Sequence, residues 1–215
     1  FGGTAKGKAL DLNQMASLFQ NDTQLVGTDA YKDIASADVC IVTAGFPRKP
    51  GMSRDDLIAT NAGIVRGVTE NIIKYSPNTI IIVVSNPLDV MTYCAYLTAQ
   101  VDSSRVFGMA GILDTARYRA FLAEALDCSP KDIQAVLMGG HGDTMVPLPR
   151  YTTVAGIPVT ELIGKEKLDA KLARYREGAS SGKQPAMATF EATRPAVGAQ
   201  ALGIARSRIA HSGCR

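Results

Sequence analysis

The sequence predicts an α/β fold built on a parallel β-sheet. Short apolar segments alternate with longer amphipathic ones between residues 38 and 138, which is the order of strands and helices in folds of this class. Two of the short segments, 38–43 and 79–86, are apolar nearly throughout, as in parallel strands that are covered on both faces. Because ligands bind beyond the carboxyl ends of such strands, we expect functional residues directly after these two segments.

The individual elements follow from the spacing of apolar residues and from end signals. Apolar residues three and four positions apart predict helices, and short apolar runs predict strands. Ser53 is the candidate N-cap of one helix, Pro77 marks its end, and Pro87 closes the second buried strand. In chain order we expect a helix at 8–19, a possible strand at 24–28, a turn or short helix at 33–37, a strand at 38–43, a helix at 55–75, a strand at 79–86, a helix at 89–99, a strand at 105–109, a helix at 113–125 and a strand at 133–138.

The composition is typical of a globular protein and argues against several kinds of partner. Of the 215 residues, 46% are hydrophobic and 20% are charged, and the net charge is +3. The lysines and arginines are scattered along the chain, which does not favour binding to nucleic acid. The longest apolar run, 80–84, is too short to span a membrane. The four cysteines are far apart, so we expect no metal site, no disulfide framework and a reducing, cytoplasmic compartment.

Two arginines, Arg48 and Arg54, lie on a loop rich in glycine and proline that follows the first buried strand. A guanidinium group is planar, always charged and matched in shape to a carboxylate. The pattern therefore suggests capture of a small anion. The alternative is ordinary solvated surface charge, which the loop on its own favours.

Three further positions carry groups suited to chemistry. His141 lies between glycines just after a predicted strand, and histidine exchanges protons near neutral pH; the alternative is a loop histidine without a role. Asp114 and Arg117 are three residues apart and share one face of a helix. They form either a local surface ion pair or two separate contacts, Asp114 with His141 and Arg117 with a substrate carboxylate. Asn86 is either a turn residue or a ligand of a substrate oxygen.

Five motifs follow one another along the chain, at residues 7–12, 44–56, 83–89, 113–119 and 139–149. In this order they resemble the motifs of the NAD-dependent malate dehydrogenases, which share the lactate dehydrogenase fold. The resemblance extends from about residue 4 to residue 176. It implies a Rossmann-type doubly wound parallel sheet in residues 1–111, followed by a partial α+β catalytic domain in residues 112–176.

The resemblance also implies roles for single residues. His141 is the general acid/base that takes the proton from the C2 hydroxyl of malate, and Asp114 orients it. Arg117 pairs with the C1 carboxylate. Arg54 polarises the C2 carbonyl of oxaloacetate, and Arg48 meets the distal carboxylate on a loop that closes over the substrate.

The implied cofactor is NAD, an assignment that rests on the resemblance alone. Asn86 would contact the substrate oxygen as well as the cofactor. The family usually forms homodimers or homotetramers, and its members act in the tricarboxylic acid cycle. The implied cofactor-binding residues are Gly45, Asn61, Val84, Ser85 and Asn86.

Arg48 favours malate over lactate as the substrate. In the lactate enzymes the matching position is usually a neutral glutamine, and an arginine there needs a second carboxylate to offset its desolvation. Oxaloacetate supplies that carboxylate and pyruvate does not. Lactate dehydrogenase is therefore the alternative within the same class.

Two departures from the family pattern define a further alternative. The first strand and the Gly-rich loop of the family would precede Phe1, and residues 177–215 do not follow the family sequence. The composition of that tail is typical of a disordered segment more than of a packed domain, and we interpret it as a reading-frame error or as an engineered or misassigned terminus. The chain is thus either a malate dehydrogenase with an incomplete sequence or a catalytically inactive fragment that retains the motif residues.

Overall fold

The computed structural model of the chain describes residues 2–47, 54–141, 144–164, 166–170 and 173. The predictions for Ser53, Arg48 and the tail 177–215 lie outside the described residues. Of Arg54 only the backbone is described. The chain divides into two compact units, with the boundary after Gly108.

The first unit is built on a three-stranded parallel sheet in the order β1–β2–β3. Val42 of β1 lies opposite Val83 of β2, which in turn lies opposite Gly108 of β3. The two segments that follow β1 and β2 therefore leave the sheet at the same edge. The parallel α/β arrangement predicted from the sequence is confirmed. The strands are β1 (Val39–Val42), β2 (Ile80–Val83) and β3 (Val106–Gly108).

Helices α2 and α3 pack against each other and against this sheet. Their apolar faces form its core with alternate strand residues, because a strand presents successive side chains to opposite faces. The fully buried side chains include Val65, Ile72, Ile81, Val83 and Met91. The helices of this unit are α1 (Gly2–Leu18), α2 (Arg54–Tyr75) and α3 (Leu88–Ala99), and a short 3₁₀-helix covers Tyr31–Ile34.

Two expectations for the first unit are wrong. Residues 24–28 form no strand, because the side chain of Asn13 takes both backbone groups of Leu25: its Nδ2 donates to the Leu25 carbonyl at 2.7 Å and its Oδ1 accepts from the Leu25 N–H at 2.8 Å. Strand β1 is not covered on both faces. Val39 and Ile41 are 43% and 59% exposed, whereas the alternate residues Cys40 and Val42 are buried.

The second unit begins with the long helix α4 and continues with short antiparallel strands. Its core includes Tyr118, Leu122, Ile133, Val159 and Ile163. The elements are α4 (Gly111–Leu126), β4 (Ile133–Gln134), β5 (Leu137–Met138), β6 (Val146–Pro147), β7 (Thr153–Val154), β8 (Ile157–Pro158) and α5 (Val159–Leu162).

The single strand predicted at 133–138 is in fact two strands in different sheets. β4 pairs with β7, whereas β5 pairs with β6. Val136 lies at the change of partner, where its carbonyl accepts from the Leu148 N–H at 3.0 Å. A continuous apolar run cannot reveal this break, because the partners that cause it come later in the chain.

Among the described residues, no helix is both long and apolar enough to cross a membrane. The same residues include no group of three or more histidine, cysteine, aspartate or glutamate side chains placed to hold a metal ion. Cys40, Cys94 and Cys128 are free thiols. Burial raises the pKa of the Cys40 thiol, and a hydrogen bond with Thr79 opposes that rise.

Candidate active site

Helix α4 places Asp114 in its first turn, with the side chain directed into the second unit. Asp114, Tyr118 and Leu122 are spaced four residues apart on one helix face, and all three are buried. Asp114 is only 1% exposed. A buried carboxylate is costly unless polar groups surround it, and the N-terminal end of a helix provides a favourable electrostatic environment.

The hairpin of β5 and β6 positions His141. The two strands pair antiparallel, with Met138 opposite Val146, and His141 lies on the connection between them. Gly139 has a positive φ of 94°, and a Cβ at this position would lie 2.3 Å from the carbonyl oxygen of Thr144. Only glycine fits so close an approach of backbone to backbone, so the residue fixes the course of the chain just before His141.

The carboxylate of Asp114 joins His141 and Arg117. His141 Nδ1 lies 2.8 Å from Asp114 Oδ2, and Arg117 Nη1 donates to Asp114 Oδ1 at 3.2 Å. The side chains of His141 and Arg117 are 25% and 20% exposed, whereas that of Asp114 is 2% exposed. A carboxylate next to Nδ1 selects the tautomer that carries its proton there, so that Nε2 of the neutral ring is the basic nitrogen. The same carboxylate stabilises the imidazolium after proton uptake.

A second set of predicted residues lies in the first unit, beyond the carboxyl ends of β1 and β2. Asn61 of helix α2 binds the segments that follow both strands. Its Oδ1 accepts from the Phe46 N–H at 2.8 Å, and its Nδ2 donates to the carbonyls of Asn86 at 2.8 Å and Phe46 at 3.2 Å.

Further contacts hold these two segments together. The Val84 N–H donates to the Val42 carbonyl at 2.8 Å, and Ser85 Oγ donates to the same carbonyl at 3.3 Å. Ser85 Oγ also lies within hydrogen-bond distance of the Ala44 carbonyl. A Cβ at Gly45 would lie 3.3 Å from the Asn61 amide, so the backbone there passes close to the helix. Four of the five predicted cofactor-binding residues thus lie at one edge of the sheet, and the fifth, Asn61, contacts this edge from helix α2.

Comparison with known proteins identifies the family. Residues 2–108 match the family model described as lactate/malate dehydrogenase, NAD binding domain. Residues 112–212 match the model described as lactate/malate dehydrogenase, alpha/beta C-terminal domain, so this match extends beyond residue 176, where the resemblance in the sequence analysis ends. The chain belongs to the lactate/malate dehydrogenase family. This confirms both the resemblance and the Rossmann-type α/β fold that the sequence analysis inferred from the five motifs.

Individual members of the family are similar over most of this chain. A malate dehydrogenase of Cytophaga hutchinsonii is 64% identical over 177 residues, which cover 82% of this chain and 57% of that protein. The structure of a malate dehydrogenase from Salinibacter ruber has a TM-score of 0.75 and 51% identity, covering 83% of this chain and 56% of that one. A lactate dehydrogenase from Eimeria maxima, solved with NADH and oxamate, has a TM-score of 0.71 and 40% identity, covering 80% and 54%. The chain spans somewhat more than half the length of these relatives.

The geometry also changes one interpretation from the sequence. A surface ion pair between Asp114 and Arg117 and a contact between Asp114 and His141 stood as alternatives. Both contacts are present, one on each carboxylate oxygen. The pair is not a surface feature, because Asp114 is buried. Which substrate groups these residues bind stays a prediction.

Sequence reasoning missed Thr152, whose side chain binds the backbone on both sides of the β5–β6 hairpin. This residue is fully buried; its Oγ1 donates to the Leu148 carbonyl at 2.9 Å and accepts from the Val136 N–H at 3.4 Å. Burial raises the pKa of Tyr118, and a hydrogen bond with Thr152 opposes the rise. No local sequence pattern distinguishes a threonine that binds the backbone on both sides of a hairpin from any other threonine.

Proposed function

We propose that the chain is part of a malate dehydrogenase, which catalyses the reversible NAD-dependent oxidation of (S)-malate to oxaloacetate. The observation that carries the proposal is the 2.8 Å contact between His141 Nδ1 and Asp114 Oδ2. A histidine oriented in this way can accept the hydroxyl proton of a 2-hydroxy acid at Nε2. The family match and the relatives that bear the name malate dehydrogenase support this reaction.

In this reaction the C2 hydroxyl of malate loses its proton to His141 while the C2 hydrogen leaves as hydride. Asp114 stabilises the imidazolium that results. Arg117 lies beside Asp114, and its side chain is 20% exposed, so that its guanidinium can also pair with the C1 carboxylate of the substrate. Arg54 polarises the C2 carbonyl of oxaloacetate in the reverse direction.

The residues at the sheet edge fit an NAD site. NAD supplies the hydride acceptor at its nicotinamide ring. Gly45 brings the backbone close to Asn61 without a side chain in between, and the segments after β1 and β2 present backbone groups at the edge where ligands of such sheets bind. We assign Gly45, Val84, Ser85 and Asn86 to the lining of this site, and the Asn86 side chain to the substrate oxygen.

Arg48 determines the choice of substrate. An arginine left without an anionic partner in a closed site costs several kcal/mol, which corresponds to a discrimination of about a thousandfold. Oxaloacetate offers a distal carboxylate to Arg48, and pyruvate has none. This is why malate is proposed ahead of lactate, although the relatives include a lactate dehydrogenase.

We further propose that residues 1–111 form part of the dinucleotide-binding domain and residues 112–176 the start of the substrate domain. The enzyme would act as a homodimer or homotetramer in the cytoplasm, within the tricarboxylic acid cycle. The free thiols of Cys40, Cys94 and Cys128 are compatible with a reducing compartment. Light scattering after size-exclusion chromatography measures the oligomeric state directly, and a monomeric mass contradicts that part of the proposal.

The test is NADH oxidation by the 215-residue chain with oxaloacetate, beside a pyruvate control at the same concentration. Turnover with oxaloacetate and little with pyruvate supports malate dehydrogenase. The reverse preference replaces it with lactate dehydrogenase. No turnover with either substrate identifies the chain as an inactive fragment.

A further inference from the structure

Asn61 uses its whole amide on the backbone of two loops. It is 1% exposed, and an asparagine side chain has two N–H donors and one carbonyl acceptor. The Nδ2 donors go to the carbonyls of Asn86 and Phe46, and Oδ1 accepts the Phe46 N–H. Both donors are therefore committed within the protein.

These contacts join elements that are far apart in sequence. Phe46 follows β1 and is 15 residues from Asn61, while Asn86 follows β2 and is 25 residues from it. The paired Phe46 contacts resemble those that a neighbouring strand would make, and the Asn86 contact ties the second loop to the first. From its buried position on helix α2, Asn61 thus fixes the distance between the two loops.

We propose that Asn61 is a positioning residue that sets the backbone of Phe46 and Asn86, rather than a ligand of the cofactor. This inference rests on the proposed function, because it assigns Asn61 to the site where Asn86 meets the substrate. It revises the role that family resemblance assigned to Asn61. A buried amide with both donors engaged has no N–H left to offer to a dinucleotide.

Asn61 affects the reaction through its hydrogen bond to the Asn86 carbonyl. Asn61 holds the carbonyl of this residue, and the Asn86 side chain departs from the same residue. A displacement of about 1 Å in a substrate-binding group can cost about a hundredfold in rate. The Val84 N–H and Ser85 Oγ bind the Val42 carbonyl independently of Asn61, so most of the backbone assigned to the NAD site keeps its place without the Asn61 amide. Loss of that amide should therefore impair the use of oxaloacetate more than the binding of NADH.

The test compares Asn61→Ala and Asn61→Asp with Asn71→Ala as the matched control. Asn71 lies on the same helix, and its Nδ2 donates to the carbonyl of Gly67 at 2.8 Å, within the helix. The control therefore removes one asparagine hydrogen bond of the same helix without touching the loops. Asn61→Asp keeps the acceptor for the Phe46 N–H but loses the donors, so it provides a second variant should Asn61→Ala fail to fold. Circular dichroism checks the fold of each variant.

We expect kcat/KM for oxaloacetate, at saturating NADH, to fall by about 10- to 100-fold in both Asn61 variants. The Kd of NADH, from its fluorescence, should change less than threefold, and Asn71→Ala should match the unmodified chain in both measurements. A rise in the Kd of NADH as large as the fall in kcat/KM would overturn the inference in favour of a cofactor ligand. Unchanged kinetics in a folded Asn61 variant would reduce Asn61 to a purely structural role.

A readout without turnover separates this inference from the proposed function. If the unmodified chain does not reduce oxaloacetate, the proposed activity fails for this chain, and NMR of the side-chain amide of Asn86 decides the positioning role. We expect its resonances to shift in Asn61→Asp and to stay in place in Asn71→Ala. Unmoved Asn86 resonances in Asn61→Asp would overturn the inference whatever the activity.

Discussion

His141 and Asp114 lie 2.8 Å apart although 27 residues separate them in the sequence. The histidine comes from the connection between two short strands and the carboxylate from the first turn of a long helix. Their contact depends on the packing of the β5–β6 hairpin against α4. Two predictions test this contact, one tests Arg48, and two test the contributions of Gly139 and Cys40 to stability.

Replacement of His141 by asparagine removes the proton acceptor and keeps a polar side chain of moderate size. We expect kcat/KM for oxaloacetate to fall by about 100- to 10,000-fold, the usual contribution of a general acid/base. The binding of NADH, measured by fluorescence, should be unchanged. Activity within a factor of three of the unmodified chain would exclude His141 as the acid/base.

Replacement of Asp114 by asparagine keeps the shape of the side chain and removes its charge. The imidazolium of His141 loses its stabilising partner, and Arg117 loses its ion pair. We expect a fall in kcat of at least tenfold. Steady-state kinetics of both proteins at the same pH test this, and an unchanged kcat would show that Asp114 does not act on the histidine.

The Arg48→Gln substitution tests the assignment of substrate. Glutamine removes the charge that requires a distal carboxylate, so the preference should shift from oxaloacetate towards pyruvate. The measured quantity is the ratio of kcat/KM for the two substrates, which we expect to change by at least tenfold. An unchanged ratio would remove Arg48 from the explanation of specificity.

Gly139→Ala tests the geometry of the β5–β6 hairpin, whose connection carries His141. The new Cβ would lie 2.3 Å from the Thr144 carbonyl oxygen at a positive φ, so we expect a loss of about 1–3 kcal/mol in the free energy of unfolding. Gly156→Ala is the matched control, because Gly156 also has a positive φ but no atom within 4 Å of its Cβ position. Urea unfolding should give the larger loss for Gly139→Ala. Equal losses would mean that backbone strain alone, and not the close contact, is responsible.

The buried thiol of Cys40 gives a pH dependence whose sign follows from its raised pKa. The folded state keeps the thiol neutral at a pH where the unfolded chain already ionises, at about 8.5 and above. The stabilisation is therefore present below that pH and declines as the pH rises towards the pKa of the folded state. Urea midpoints between pH 7 and pH 10 should fall more steeply for the unmodified chain than for Cys40→Ala. Parallel slopes would show that the ionisation of Cys40 contributes nothing.

The sequence predicted the elements whose signals are local. Helix α2 was expected at 55–75 and runs from Arg54 to Tyr75, because a long helix carries many apolar residues at its own period. The expected strand at 24–28 is wrong, because strand formation depends on pairing, which is not a local signal. A strand needs a partner, and in this structure the side chain of Asn13 occupies the backbone groups of Leu25.

The candidate site divides in the same way. The sequence by itself determined the residue types, the order of the motifs and the α/β class, because these depend on composition and on short spacings. Only the tertiary structure decided that one carboxylate, that of Asp114, serves both His141 and Arg117. It also decided that Asn61 binds Phe46 and Asn86. A hydrogen bond forms only when its two atoms lie about 3 Å apart in a suitable direction. The partners in these contacts are separated by 15 to 27 residues in the sequence. Whether they come within that distance therefore depends on the packing of entire elements.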